Sequence, residues 1–128
     1  MTDCNLTDIY RGYIACLNRQ NWANLGNYVG DSVIRNDQHL GLEGYRKMLQ
    51  NDFAQIPDLY FDVRMLIAEP PFLASRIVFN CMPRGTFLDL PVNGRRVIFA
   101  EHVLYELRDK RIVQVWSVID KAAIESQL

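Results

Sequence analysis

The architecture of this chain follows from residues 97–120, which read VIFAEHVLYELRDKRIVQVWSVID. Two apolar runs flank a short polar segment, a pattern that predicts two long strands joined by a tight turn. Four side chains in these strands are unusual for the filling of a core: Glu101, His102, Trp116 and Asp120. Three of the four can exchange protons near neutral pH once burial shifts their pKa values, so we expect this hairpin to form the wall of a pocket.

The length of the turn decides which of these side chains share a face, because side chains alternate between the two faces of a strand. A two-residue turn would pair Arg108 with Arg111. In that register Glu101 would lie on the same face as Trp116 and Asp120.

A three-residue turn, residues 109–111, would pair Arg108 with Ile112 and turn Glu101 to the opposite face. The side chains that would then share one face are His102, Gln114, Trp116 and Asp120. Both turn lengths are common, and the Asn-Gly or Asp-Gly pair that favours the shorter one is absent here. We favour the three-residue register, in which Glu101 is a solvated or dimer-face carboxylate beside Arg76.

Length and composition predict one compact domain spanning residues 1–128. The chain is 49% hydrophobic, has a formal net charge of -1 and distributes its basic residues without clusters. Such a sequence predicts no basic patch that would bind nucleic acid or an anionic membrane. No apolar run is long enough to span a bilayer, and the N-terminus lacks the pattern of a secretory leader. We therefore expect a cytoplasmic protein whose partners are small molecules or proteins.

Cysteine and histidine are too sparse to suggest a metal centre or a disulfide framework. Cys4, Cys16 and Cys81 are odd in number and have no CxxC spacing, which favours reduced thiols. His39 and His102 are the only histidines, and no spacing motif supplies carboxylate ligands beside them. We expect neither a metal nor a cofactor.

The first part of the chain predicts helices. Apolar residues recur every three or four positions over residues 7–17, Asn21 can cap a short second helix, and a third helix is expected from about Leu42 to just before Pro57. A brief strand, residues 33–36, precedes the third helix. The third helix carries Met48 and Phe53, which we expect at the floor of a cavity.

The second part predicts strands over residues 59–68 and 74–82, then a hairpin of residues 86–92 with residues 95 onward. The hairpin is predicted to turn at Asn93-Gly94, the pair best suited to two positive φ angles. Residues 121–128 predict a short terminal helix. Helices followed by strands indicate an α+β fold, with helices packed on one face of a strongly bent antiparallel sheet.

The strand at residues 97–107 is apolar on both faces, which predicts a homodimer. One face carries Val97, Phe99, Val103, Tyr105 and Leu107, and the other carries Ile98, Ala100 and Leu104. A single helical layer can cover only one of them, and a second copy of the sheet is the simplest cover for the other.

Several short motifs occur in a characteristic order along the chain. They are Pro57-Asp58 after the third helix, Gly85-Thr86-Phe87-Leu88 before Pro91 and Asn93-Gly94, the Trp116 to Asp120 spacing, and the ending Gln127-Leu128. In this order the chain resembles the SnoaL-like polyketide cyclases of the nuclear-transport-factor-two-like superfamily. The resemblance implies a cone of curved antiparallel sheet, closed by the N-terminal helices around an apolar cavity and commonly dimeric.

The resemblance also implies a chemistry and its residues. Such cyclases close a ring by intramolecular aldol reaction without a cofactor, so a small apolar carbonyl compound is the expected ligand. Their acid/base aspartate matches Asp120, while His102 and Asn36 match pocket residues. From the hairpin register and the helix pattern we add Trp116, Gln114, Phe53 and Met48 as substrate-binding candidates.

Two alternatives stay open at this point. Asp120 is also a good helix N-cap, with Ile119 and Ile124 as the hydrophobic staple around it, and His102 could be a purely structural residue of the sheet. The same fold could serve as a non-catalytic binding domain for a small molecule, or as a dimerisation module, because fold does not determine function.

Overall fold

The computed structural model describes residues 5–128 and confirms the predicted α+β fold. The elements in chain order are helix α1 (Leu6–Asn18), a 3-10 helix (Trp22–Asn27), strands β1 (Val29–Arg35) and β2 (Gln38–His39), helix α2 (Gly41–Gln55), strands β3 (Asp62–Glu69), β4 (Phe72–Cys81), β5 (Thr86–Phe87), β6 (Leu90–Pro91), β7 (Val97–Arg108) and β8 (Arg111–Ile119), and helix α3 (Lys121–Glu125).

The two long helices form where the apolar spacing predicts them. The side-chain oxygen of Asn5 accepts hydrogen bonds from the backbone of Thr7 and Asp8 and so begins α1. Helix α2 ends at Gln55, two residues before Pro57. The side chains that the two helices bury are Leu6, Tyr10, Tyr13, Ile14, Cys16, Leu17, Tyr45 and Leu49.

Six strands form one sheet in the order β2-β1-β8-β7-β4-β3. All neighbouring pairs are antiparallel except β1 and β8, which run parallel. The parallel pair needs a long connection, and the chain from β2 to β7 supplies it. The longest strands, β4 and β7, pair along their full length at the centre of the fold.

The turn predicted at Asn93-Gly94 is present, but the hairpin predicted around it is wrong. Asn93 and Gly94 have φ angles of 52° and 81°, and Arg95 N donates to the carbonyl oxygen of Val92. The two paired strands lie earlier in the chain than this turn, because β5 pairs with β6 across Leu88-Asp89. Leu88-Asp89 also takes two positive φ angles, which aspartate tolerates but leucine does not favour.

The β7–β8 hairpin combines features of both registers considered from the sequence. Its tip is a two-residue turn: Arg108 pairs with Arg111, so the expected pairing of Arg108 with Ile112 is wrong. A bulge then leaves Val113 without an opposite residue, because Glu106 and Leu107 pair with Gln114 and Ile112. From that point on the pairing is the one that the longer turn would have given.

The bulge determines which side chains share a face. We call the face packed on α1 and α2 the inner face, and the opposite one the outer face. Leu104 lies opposite Trp116 and His102 opposite Val118, all on the outer face. Glu101 lies on the inner face, between the buried side chains of Phe99 and Val103.

Cys16 and Cys81 are buried free thiols, whereas Cys4 lies outside the described residues. Within residues 5–128 no helix is both long and apolar enough to cross a membrane.

The tip of the β7–β8 hairpin offers a test of the register. Asp109 and Lys110 have φ angles of 52° and 66°, a conformation that costs a non-glycine residue roughly 1 kcal/mol. Lys110→Gly should therefore raise the free energy of unfolding by about 0.5–1 kcal/mol, measured by urea denaturation. The matched control is Lys47→Gly in the exposed face of α2, which should lower it by about 1 kcal/mol. A loss of stability in both variants would contradict the two-residue turn.

Candidate functional site

An apolar cavity of about 190 Å³ lies between the inner face of the sheet and α2. Its lining is apolar except for Arg35, Asp52 and Glu101. The apolar part of the wall consists of Met48, Ile56, Leu59, Phe61, Phe79, Phe87, Leu88, Phe99 and Ile119. A water-poor space with a few convergent charged groups is the usual form of a small-molecule site.

Each charged side chain reaches the cavity from a different element. Glu101 projects from the middle of β7, opposite Ile77 of β4 and Ile119 of β8. Asp52 lies one turn after Met48 on α2, and Arg35 is the last residue of β1. The sheet order places β1, β8 and β7 side by side, so the strand-borne groups share one rigid surface.

Ser117 connects Arg35 to Glu101. Arg35 Nη2 donates a hydrogen bond of 2.7 Å to Ser117 Oγ, and the Ser117 hydroxyl lowers the pKa of the Glu101 carboxyl. A hydroxyl that accepts a hydrogen bond can still donate its own proton, so Ser117 can interact with the guanidinium and the carboxyl together.

Asn36 holds Ser117 in place. Asn36 Nδ2 donates to the backbone oxygen of Ser117 at 3.2 Å, and Asn36 Oδ1 accepts from the backbone nitrogen of Ser117 at 2.9 Å. The φ angle of Asn36 is 46°, a left-handed conformation that asparagine tolerates better than most residues. Asn36 therefore acts here as a positioning residue for Ser117.

Burial raises the pKa values of both cavity carboxyls. The pKa of Glu101 rises from 4.5 to about 7, because loss of hydration outweighs the opposing effects of Arg35 and of the Ser117 hydrogen bond. Nearby Asp52 adds to the rise. The pKa of Asp52 rises from 3.8 to about 6 for the same main reason, again opposed by Arg35.

The two carboxyls can therefore play different roles at one pH. At neutral pH the Asp52 carboxyl is mainly ionised, while the Glu101 carboxyl is protonated in about half of the molecules, as their pKa values dictate. A pair with separated pKa values is suited to remove one proton and donate another.

Several residues selected from the sequence lie instead on the outer face. His102, Trp116 and Asn36 line an open apolar groove of about 610 Å³, together with Arg76. Gln114 lies on the same face but is not among the residues that line this groove. The structure thus brings His102 and Trp116 together, but across the sheet from the interior cavity.

Asp120 lies at the end of β8, outside the linings of both the cavity and the groove. Its Oδ1 accepts a hydrogen bond of 3.0 Å from the backbone nitrogen of Ala123, so the N-cap interpretation is confirmed. The buried side chain of Ile124 anchors the short helix that follows. The catalytic role that the resemblance assigns to Asp120 stays a prediction.

The two candidates from α2 have different positions. Met48 lines the cavity, as expected for a residue of its floor. Phe53 lies behind the wall, with its ring centre 5.7 Å from that of Trp22 and 6.1 Å from that of Phe61.

The sequence analysis singled out Glu101 but favoured the wrong face for it, and it missed Arg35 and Asp52, although sequence signals pointed to Glu101 and Asp52. Glu101 alternates with Phe99, Val103 and Tyr105, the more apolar side of its strand, and that side packs on the helices. Asp52 follows Met48 by four positions and so continues the buried stripe of α2. The prediction that Glu101 is a solvated or dimer-face carboxylate is wrong.

Comparisons with known proteins agree on one family. The family model described as SnoaL-like polyketide cyclase matches residues 7–128. The crystal structure of a SnoaL-like polyketide cyclase from Agrobacterium tumefaciens is 50% identical, with 99% of this chain and 98% of that chain covered and a TM-score of 0.95. None of the curated proteins compared with the chain matches it.

More distant structures share the fold alone. IdmH of Streptomyces antibioticus is 19% identical over 96% of this chain and 97% of its own, with a TM-score of 0.82. TsrD of Streptomyces laurentii is 19% identical over 99% of this chain and 97% of its own, with a TM-score of 0.84.

The raised pKa of Glu101 predicts a pH-dependent stability. Folding favours the protonated carboxyl, so the stability present below pH 4.5 is lost as the pH rises towards about 7. Glu101→Gln cannot ionise and should gain stability relative to the wild type between about pH 5 and about pH 8, by on the order of 2 kcal/mol. Urea unfolding of the variant and the wild type at both pH values measures this difference in the free energy of unfolding. With the control Glu69→Gln, at an exposed carboxyl, the difference should stay constant; a constant difference for Glu101→Gln would contradict the assignment.

Proposed function

Because the chain belongs to the SnoaL-like polyketide cyclase family, we propose that it is an acid/base enzyme for a small carbonyl compound, with its active site in the interior cavity. The observation that carries the proposal is the pair of partly buried carboxyls, Asp52 and Glu101, at one apolar cavity beside Arg35. The carboxyl pair can supply both proton transfers that an aldol-type ring closure requires.

In this mechanism Asp52, the more acidic group, removes a proton from the carbon beside a carbonyl group. The resulting enolate attacks a second carbonyl carbon of the same molecule, forming the carbon–carbon bond. Protonated Glu101 donates its proton to the new alkoxide oxygen. The proton taken up by Asp52 then passes to Glu101, which restores both groups and balances the reaction.

Arg35 has an electrostatic role in this cycle. It lowers the pKa of both carboxyls and so offsets part of the rise that burial causes. Without its guanidinium the pKa values of both groups would be higher, and less of the Asp52 base would be ionised near neutral pH. The Ser117 bridge keeps the guanidinium close to Glu101.

The apolar outer face supports a second proposal, that two copies of the chain associate through it. Three apolar side chains of this face are largely exposed: Val118 is 70% exposed, Ile67 60% and Met65 55%. Contiguous exposed apolar surface of this kind marks an association site, and a two-fold interface needs only one self-complementary patch. His102 and Trp116 would then contribute to assembly, whereas the interior cavity would stay open on the other face.

The acid/base assignment can be tested without the natural substrate. The exchange of the α-protons of a small ketone such as acetophenone in deuterated water is followed by proton NMR. Glu101→Gln and Asp52→Asn should each lower the exchange rate by roughly a hundredfold or more, the usual scale for losing a positioned acid or base. Asp120→Asn retains the helix cap and should exchange at close to the wild-type rate. Loss of exchange in Asp120→Asn alone would instead assign the chemistry to Asp120.

Light scattering tests the assembly. The wild type should have twice the chain mass of 14.9 kDa, and Val118→Glu should be monomeric because it buries a charge at the centre of the interface. Tyr60→Glu changes an equally exposed side chain, 62% accessible, away from the groove and should remain dimeric. A monomeric wild type at micromolar concentration would contradict the proposal.

A further inference from the structure

A small recess of about 40 Å³ adjoins the interior cavity. The residues that line both spaces are Arg35, Met48, Asp52, Phe61 and Glu101. The rest of its lining consists of three tyrosines and five aliphatic residues: Tyr13, Tyr45, Tyr105, Leu17, Leu49, Ile77, Val103 and Val115. One water molecule takes up about 30 Å³ in the liquid, so the recess has room for a single oxygen-sized group and not for a ring.

Tyr13 and Tyr45, two residues of this lining, have paired hydroxyl groups. Their Oη atoms are 2.7 Å apart and share one hydrogen bond. Two hydroxyls carry two protons, and this bond uses only one of them. Within residues 5–128 neither oxygen has another hydrogen-bond partner, so the pair retains one O–H donor.

The pair is a neutral donor and not a base. Burial, foremost, raises the pKa values of Tyr13 and Tyr45 well above their ordinary range. The charge of Glu101 adds to the rise in both cases. Both hydroxyls therefore keep their protons at every pH at which the cavity carboxyls titrate.

The charges around the recess favour a neutral acceptor. Arg35 supplies one positive charge, and Asp52 together with half-ionised Glu101 already balances it. A further anion in this low-dielectric space would face uncompensated repulsion. A carbonyl oxygen accepts a hydrogen bond without adding charge.

The size of the main cavity limits the rest of the ligand. Its volume is about 190 Å³, whereas a cavity of about 150 Å³ in another protein holds benzene and drug-sized ligands need roughly 300–1,000 Å³. The rings of Phe61, Phe79 and Phe99 form a continuous aromatic wall, with neighbouring centres 5.3 Å apart. That wall suits an apolar body of about one ring.

We infer that this site takes a neutral carbonyl compound about one ring in size, with its carbonyl oxygen hydrogen-bonded by the Tyr13–Tyr45 pair and its apolar part against the phenylalanine wall. The inference rests on the proposed function in taking the cavity as the ligand site. It adds the size and neutrality of the ligand and two oxygen-binding residues. During turnover the same O–H would stabilise the enolate oxygen formed when Asp52 removes the α-proton.

Binding of acetophenone tests the inference without any turnover. Its isostere α-methylstyrene replaces the carbonyl oxygen by a CH₂ group and serves as the matched ligand. The wild type should bind acetophenone about fivefold more tightly than α-methylstyrene, the worth of one hydrogen bond. The infrared carbonyl stretch of bound acetophenone should lie below its value in hexane.

The double variant Tyr13→Phe/Tyr45→Phe removes both hydroxyls together and leaves no unpaired partner. It should abolish the fivefold preference and return the carbonyl stretch towards its hexane value. The control Ser75→Ala removes another buried hydroxyl but leaves Tyr10 Oη paired with Tyr105 Oη at 3.1 Å, so it should change neither quantity. 2-Acetylnaphthalene, one ring larger, should bind more weakly than acetophenone.

The outcomes separate this inference from the proposed function. Four results would overturn the inference: a wild-type carbonyl stretch equal to that in hexane, an equal effect of the double variant and of Ser75→Ala, equal binding of the larger ketone, or absence of acetophenone binding. Tyrosine-dependent binding combined with normal α-proton exchange in Glu101→Gln would uphold the inference and overturn the proposed acid/base roles.

Discussion

The interaction on which the site depends is the incomplete neutralisation of a buried carboxyl. Glu101 lies on the inner face of β7 in an apolar cavity, where loss of hydration raises its pKa to about 7. Arg35 reaches it through Ser117 and limits that rise. With a stronger ion pair the carboxyl would be permanently ionised, and without Arg35 it would be mainly protonated. With its pKa between these two extremes, the Glu101 carboxyl can both donate and accept a proton near neutral pH.

This balance depends on backbone features some distance from the cavity. The bulge at Val113 sets the register that places Ser117 on the inner face opposite Val103. Asn36 then fixes the backbone of Ser117 at the end of the parallel β1–β8 pairing. A one-residue change in either feature would turn Ser117 away and break the link between Arg35 and Glu101.

Local patterns predicted most of the fold but less of the site. Amphipathic spacing located α1 and α2, and the apolar run of 97–107 indicated the long strand β7. The bulge at Val113 could not be predicted, because no glycine or other local signal marks it and tertiary pairing decides it. The order of apolar residues around Glu101 indicates the inner face, whereas the three-residue turn predicts the opposite one. The Arg35–Asp52–Glu101 grouping joins three elements and appears only after the sheet is assembled.

The most direct measurement is the titration of the Glu101 side chain in protein labelled with ¹³C at the glutamate carboxyls, followed by NMR and assigned with Glu101→Gln. The account predicts a midpoint at about pH 7. It also predicts a lower midpoint in Asp52→Asn, because Asp52 contributes to the rise. A midpoint near the ordinary value of 4.5 would show that Glu101 is solvated and would contradict the interior acid/base site.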